Sequence, residues 1–341
     1  EAMLDLGSGR KEYAAMKLTL MLMGGSAFLL IGILGIYFGS GATTMNLLEI
    51  AQLHNIPFAQ QCIWFPLTFL GFGVLGALFP FHTWSPDGHA SAPTAVSMLH
   101  AGVLMKLGGY GCFRIAMYLM PEAANELSWI FLILTGISVV YGAFSACVQT
   151  DLKYINAYSS VSHCGLVLFA ILMMNQTACT GAVLQMLSHG LMTALFFALI
   201  GMIYGRTHTR DVRELSGLMK IMPFLAVCYV IAGLANLGLP GLSGFVAEMT
   251  IFNGAFQHAD VFHRTWTIIA CTSIVIILRL VGKILYGTCT NKHHLALTDA
   301  TWDERTAVII LIVCVAGLGL APLWISNMIG DSVLPLVSIF Q

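Results

Sequence analysis

The feature that most constrains this chain is a series of long apolar runs almost free of charge, among them 14–39, 127–149 and 178–204. In lipid every backbone polar group needs an internal partner, so only helices and closed barrels span a bilayer. Barrel strands alternate apolar and polar residues, whereas these runs are continuous, which selects helices. Of the 341 residues, 58% are hydrophobic and 9% charged, far below the roughly 25% charge of a soluble domain. The fold class is therefore all-α, a polytopic transmembrane helical bundle. A net charge of -1 argues against nucleic acid as a partner, and 34 glycines suit helices packed closely in lipid. Nine cysteines are scattered without any Cys-x-x-Cys, so no cysteine-ligated cluster or zinc site is expected. Most sit in apolar runs as small core residues. Phosphate-loop, dinucleotide and nucleophile-elbow motifs are missing, and the first long apolar run is a full span rather than a cleavable signal.

The pattern predicts nine spans, near 14–39, 57–80, 92–119, 127–149, 154–174, 178–204, 222–256, 262–286 and 306–329. The second and seventh contain helix breakers; in the seventh, Leu237-Gly-Leu-Pro-Gly-Leu-Ser-Gly244 falls at mid-membrane. Irregular backbone at that depth is tolerated only inside protein or beside water, and matching broken helices in two halves point to a transport site. The two lie an odd number of spans apart, so the halves would be inverted. With the first span leaving the cytoplasm, that side holds Arg10, Lys11, Lys17, Lys153, Arg206, Arg210, Arg213, Lys220, Lys283, Lys292 and Arg305, against Arg114 and Arg264 on the other. This bias follows the positive-inside rule and puts the C-terminus outside the cytoplasm.

Lys106, in Ala101-Gly-Val-Leu-Met-Lys-Leu-Gly-Gly-Tyr110, is the most isolated charge. From a helix start near Ala92 it lies roughly 20 Å along a span, where an ionisable group faces the protein and generally has a function. Snorkelling is the competing reading, but the reach from mid-helix is poor. Glu248 follows the seventh-span break, either as a proton-carrying carboxylate or as a structural one bonded to loop amides. His189 shares a helix face with Gln185 and Thr193, and His163 with Asn156, Ser159 and Ser160. Such stripes can relay protons or serve as interhelical hydrogen-bond glue. His82-Thr-Trp-Ser-Pro-Asp87-Gly-His89 reads as a tight turn in which Asp87 caps the next helix, with proton uptake as the sharper alternative. Arg279 and Lys283 suit an anchor at a span end, and His293 and His294 a solvated loop.

Five stretches then resemble a known family: Phe79-Pro-Phe-His-Thr-Trp-Ser-Pro-Asp-Gly-His-Ala-Ser-Ala-Pro-Thr-Ala95, Ala101–Gly111, Thr150–Gly165, Gln185-Met-Leu-Ser-His-Gly190 and Leu237–Glu248. They are similar to the antiporter-like proton-translocating subunits of respiratory complex I, and most similar to the subunit M group of bacterial NADH-quinone oxidoreductases. The resemblance covers nearly the whole chain. It implies inverted five-helix repeats and a central axis on which Lys106 links two half-channels, Glu248 is the acid of the second broken helix, and His163 and His189 lie between. On that pattern 1–12 is a remnant, 13–126 the later part of the first repeat, 127–286 the second repeat, and 287–341 a loop and C-terminal helix. It further implies complex I membrane subunits, lipid and protons as partners, a bacterial inner membrane, and no cofactor, NADH or iron–sulfur centre in this chain.

Two departures stand out. The family places a lysine where this chain has Leu75, so His82, His100 or water would have to serve in its place. Glu1-Ala-Met-Leu4 resembles the start of the glutamate-bearing fifth helix, while Arg10–Lys17 already resembles the sixth. Glu1, Asp87 and Lys153 complete the possible proton path. The function expected is proton translocation coupled to electron transfer in other subunits. A cation/proton antiporter or membrane-bound hydrogenase subunit shares the motifs, and a purely structural scaffold is the alternative of a different class.

Overall fold

The computed structural model describes residues 10–53, 55–258, 260–271, 285 and 297–340. Glu1, Arg279, Lys283, His293 and His294 lie outside them.

The first long helix, α1 (Lys11–Ser40), is largely exposed, burying a narrow stripe that includes Gly25, Gly32 and Ile36. The two glycines let it lie directly on α2 (Phe58–Leu75): a methyl at Gly25 would stand 2.9 Å from Val74 Cβ. Small residues supply the close approach that helix packing in lipid requires. After Leu75 the predicted break is present. Ala77 has φ 56, and the carbonyl of Val74, which accepts from Ala77 N at 3.1 Å, also accepts from Trp84 Nε1 at 2.9 Å. The chain resumes in α3 (Trp84–Ser91).

The Lys106 segment starts at Thr94 rather than Ala92. It forms one rod, α4, from Thr94–Leu99, a π turn His100–Leu104, Met105–Gly111 and a second π turn Cys112–Met117. Next come α5 (Pro121–Val148), α6 (Leu152–Ile171) and α7 (Gln176–Thr207). α6 is buried nearly all round although it carries Asn156, Ser159, Ser160 and Ser162; a helix so enclosed must satisfy its polar groups within the protein. The seventh predicted span is two helices, α8 (Pro223–Asn236) and α9 (Ser243–Phe256), separated by a break with Gly238 and Gly241 at φ 72 and 96. The described part of the eighth is α10 (Val261–Cys271).

The expected last span, 306–329, is corrected to two helices, α11 (Trp302–Leu320) and α12 (Leu323–Val337). Proline lacks an N–H and disfavours helical geometry in the residue before it; Ala321, before Pro322, leaves the helix at φ -127, ψ 62. Among the described residues six helices are individually long and apolar enough to cross a membrane: α1, α2, α5, α6, α7 and Leu323–Phe340. The α4 rod and the α8–α9 pair fall short because π turns and a helix break divide them.

Candidate proton-transfer axis

Four elements bring the predicted residues together: α4, α6, α7 and the α8–α9 break. Along the helix axis a side chain leans toward the N-terminus, and Lys106 does so, its Nζ donating to Ala101 O one turn back, beside the first π turn. The ammonium is enclosed, while the stem lines a lateral groove of about 550 Å³ between α4 and α7 with Met98, Leu99, Gly102, Met186 and Gly190. At the level of that ammonium the helices touch backbone to backbone: a methyl at Gly190 would stand 2.9 Å from Gly102 O. His189 precedes Gly190 and is 1% exposed. Lys106 is close enough to interact electrostatically with His163, His189, His89 and Cys164.

The two axis histidines are neighbours, with ring centroids 4.9 Å apart. His163 is held on both nitrogens. Its Nε2 lies 2.7 Å from Asn236 Oδ1, and Gln185 Nε2 stands 3.0 Å from its Nδ1. With an acceptor at Nε2 and an amide donor at Nδ1, the neutral ring carries its proton on Nε2. Glu248 Oε1 lies 3.4 Å from the same Nδ1. Asn236 also accepts from Ser159 at 3.0 Å. Across the break, Ser188 donates to Ser243 at 2.7 Å, tying α7 to the first residue of α9.

Glu248 is positioned by the break itself. Its Oε2 occupies the space that a side chain on Gly238 would take, 2.5 Å from an ideal Cβ there. Gly238 is in the left-handed region, where glycine has no penalty. One residue thus supplies both the turn and the room for the carboxylate.

Other expected residues lie elsewhere. Asp87 does not cap a helix; it sits in the first turn of α3, paired with Lys17 at 2.6 Å and accepting from Tyr154 at 3.0 Å. Pro86 and Gly88 are absorbed into the same helix, so the turn is displaced to the residues before it. Lys153 is buried and donates to Ala92 O at 2.6 Å, closing the carbonyl after α3. His82 is buried between Phe79 and Tyr141, with centroids 5.6 and 4.9 Å away. His100 begins the first π turn. Leu75 ends α2 and supplies no charge. Two members of the polar stripes are bonded to their own helices: Thr193 to His189 O and Ser160 to Asn156 O.

Sequence reasoning did not single out Asn236. It ends an apolar helix immediately before the break, and an asparagine there is the signal that would have found it. Among the described residues no group of three or more His, Cys, Asp or Glu is placed to hold a metal ion.

Comparison with known proteins agrees with this architecture. Residues 4–276 match the family described as NADH:quinone oxidoreductase/Mrp antiporter, TM. NADH-quinone oxidoreductase subunit M of Rickettsia conorii is 36% identical over 333 residues, covering 96% of this chain and 66% of the relative. A chain in the structure of respiratory complex I from Thermus thermophilus with bound NADH superposes with TM-score 0.92 at 24% identity, covering 100% of this chain and 72% of that one. A chain of the Mrp complex from Dietzia sp. gives TM-score 0.83 at 18% identity, covering 97% and 70%. At those identities the two structures speak for the fold alone. The chain spans just under two thirds of the length of the Rickettsia relative. It belongs to the transmembrane NADH:quinone oxidoreductase/Mrp antiporter family.

Proposed function

We propose that this chain is a proton-translocating membrane subunit of an NADH-quinone oxidoreductase, working with other membrane subunits in a bacterial inner membrane while electron transfer takes place elsewhere in the complex. The observation that supports the proposal is the buried cluster in which the His189 and His163 rings lie 4.9 Å apart and His163 Nδ1 lies 3.4 Å from Glu248 over a helix break, with Lys106 near enough to act on both histidines electrostatically. The Rickettsia relative, a quinone oxidoreductase subunit, favours this parent complex over a cation/proton antiporter. The chain itself contributes no redox step.

The chemistry follows from the hydrogen bonds. Neutral His163 keeps its proton on Nε2, against Asn236, and offers Nδ1 as a base. A proton leaving Lys106 toward the histidine pair makes an imidazolium, whose Nδ1–H then points at Glu248 across 3.4 Å. Transfer to the carboxylate restores the neutral ring, and Gln185 returns to Nδ1. Asn236 holds the ring throughout, so the proton moves without the imidazole turning. A charge change at Lys106 alters the proton affinity of the histidines it acts on electrostatically, which lets it gate each step.

The test is Lys106→Met and Glu248→Gln in the full-length protein within its complex. Pumping into inverted membrane vesicles should fall in both while the complex assembles. Wild-type pumping in both would overturn the axis.

A further inference from the structure

The groove beside Lys106 has no part in the axis. It runs along the outside of α4 and α7 and opens at the side of the bundle, with Leu99, Val103, Tyr110 and Leu187 exposed along it. Its volume of about 550 Å³ falls within the range of about 300–1,000 Å³ that small-molecule sites occupy. The lining side chains are apolar apart from the Tyr110 hydroxyl and one charged group, the end of Lys106.

A lone cation in an apolar wall calls for an anion. Among the described residues none supplies one. Lys106 donates to a backbone carbonyl, and the groups it interacts with electrostatically are His89, His163, His189 and Cys164, none of them a carboxylate. Depth decides what kind of anion fits. The α4 rod runs from Thr94 to Met117, about 36 Å at the rise of an α-helix, and Lys106 lies about 18 Å along it. The hydrocarbon of a bilayer is about 30 Å thick, so Lys106 is near its middle, out of reach of a phospholipid headgroup held at either surface. A long-chain carboxylic acid is different. Protonated, it carries no charge, so its head can enter the hydrocarbon at modest cost, and its chain suits the apolar lining. Lys106 can meet it because its stem already lies in the groove wall. That stem is flexible, which gives the nitrogen two stations: inward, against Ala101 O, and outward, in the groove.

We propose that the α4–α7 groove binds a long-chain carboxylic acid from the bilayer, its carboxylate paired with Lys106 and its chain lying against Leu99, Val103 and Leu187. The acid enters as neutral RCOOH. Its O–H bond breaks, the proton moves to the neutral Lys106 amine, and a carboxylate–ammonium pair remains. That pair draws the nitrogen outward and stabilises its charged form, so an occupied groove withdraws Lys106 from the axis. This last consequence rests on the reading of Lys106 as a proton carrier; the binding site itself does not.

The experiment uses the full-length protein in its intact complex, in inverted vesicles. The probe is palmitic acid carrying a diazirine near the end of its chain, compared with the matching hexadecanol. After illumination, unbound probe is removed with albumin and the labelled residues are found by mass spectrometry. The acid should label 98–110 and 183–194 about tenfold more than the alcohol, the factor expected of one charged hydrogen bond. Lys106→Met should bring the acid down to the level of the alcohol, while Lys106→Arg keeps the difference. Leu187→Trp fills the groove from an exposed position and should abolish labelling by both probes in complexes that assemble normally on native gels. Equal labelling by acid and alcohol, or unchanged acid labelling in Lys106→Met, would overturn the carboxylate site. So would an unlabelled groove in the wild type, the result if another segment or subunit covers it. In the labelled wild type, pumping should fall in proportion to the labelled fraction; normal pumping overturns the withdrawal of Lys106. Normal pumping in Lys106→Met refutes the carrier reading instead, and the site then stands on its labelling alone.

Discussion

Replacing Gly238 by alanine tests whether the break positions Glu248, because the effect can be worked out from geometry. Alanine adds one methyl, and its Cβ would stand 2.5 Å from Glu248 Oε2. An ordinary carbon–oxygen contact is about 3.4 Å, close to the van der Waals optimum, so the carboxyl must withdraw by about 1 Å. The backbone has little freedom to share the strain: φ at 238 is 72, which costs a non-glycine residue about 1–2 kcal/mol. A structure that keeps this backbone has to move the carboxyl, and its partner at 3.4 Å is His163 Nδ1. Misplacing reacting groups by about 1 Å can cost about 10²-fold in rate. Gly238→Ala is therefore expected to slow pumping by one to two orders of magnitude while the complex is assembled and still oxidises its electron donor in uncoupled membranes. The assay is acidification of inverted vesicles, normalised to subunit content by immunoblot. Wild-type pumping in an assembled Gly238→Ala complex would refute the idea that Glu248 acts from a fixed place against the break.

Three further outcomes are expected. Asn236→Leu removes the acceptor for both His163 Nε2 and Ser159; leaving buried donors unmet costs about 1–3 kcal/mol, and pumping should fall more than donor oxidation when both are measured in one preparation. Gly108→Leu places a side chain against the backbone of Gly76 and Phe72 in the first break, so detergent extracts should contain little assembled complex on native gels. Arg206→Ala breaks the two-pronged contact with Glu304, one arm of which is 3.2 Å, and also frees the carbonyls of Thr298 and Asp299. Thermal inactivation should come earlier, with a loss of about 1–3 kcal/mol, while pumping per quinone reduced stays at the wild-type value.

Much of the architecture was legible from residue types alone. Lys106 and Glu248 stood out because a charge isolated in an apolar run is costly and rare. The second break was readable because three glycines and a proline crowd eight residues, and the structure uses Gly238 and Gly241 at positive φ. Periodicity placed His163 and His189 on polar helix faces, but could not say which of their stripe neighbours reach across. Thr193 and Ser160 satisfy their hydroxyls on their own helices, the local option always open to such residues. Asn236 went unnoticed since its partners His163 and Ser159 lie more than 70 residues away in sequence. The π turns beside Lys106 have no sequence signature; they depend on how α4 packs against α7 and the first break. The split at Pro322 was different: the proline was visible, but the run on either side was apolar enough to mask it.

The polar groups divide into two kinds, and the division explains how one bundle can be both anchored and conductive. Toward the helix ends opposite charges are closed in pairs: Lys17 with Asp87, Arg210 with Asp151, Arg206 with Glu304 and Arg213 with Asp211. A closed pair stabilises the charged form of both members, so such contacts fix helix ends and do not exchange protons readily. Inside the bundle the arrangement is reversed. Among the described residues Lys106 has no carboxylate partner and is bonded to a backbone carbonyl. Glu248 faces His163, a ring otherwise bonded to the neutral groups Asn236 and Gln185. Neutral dipoles hold a side chain in place in either charge state, so gaining or losing a proton does not dismantle the site. Two unit charges about 4 Å apart interact by about 4 kcal/mol at an effective dielectric of 20, so each occupied carrier strongly biases the next. Lys106 and His163, held by neutral partners and not closed in salt bridges, are free to pass charge on; the same groups locked in ion pairs would trap it.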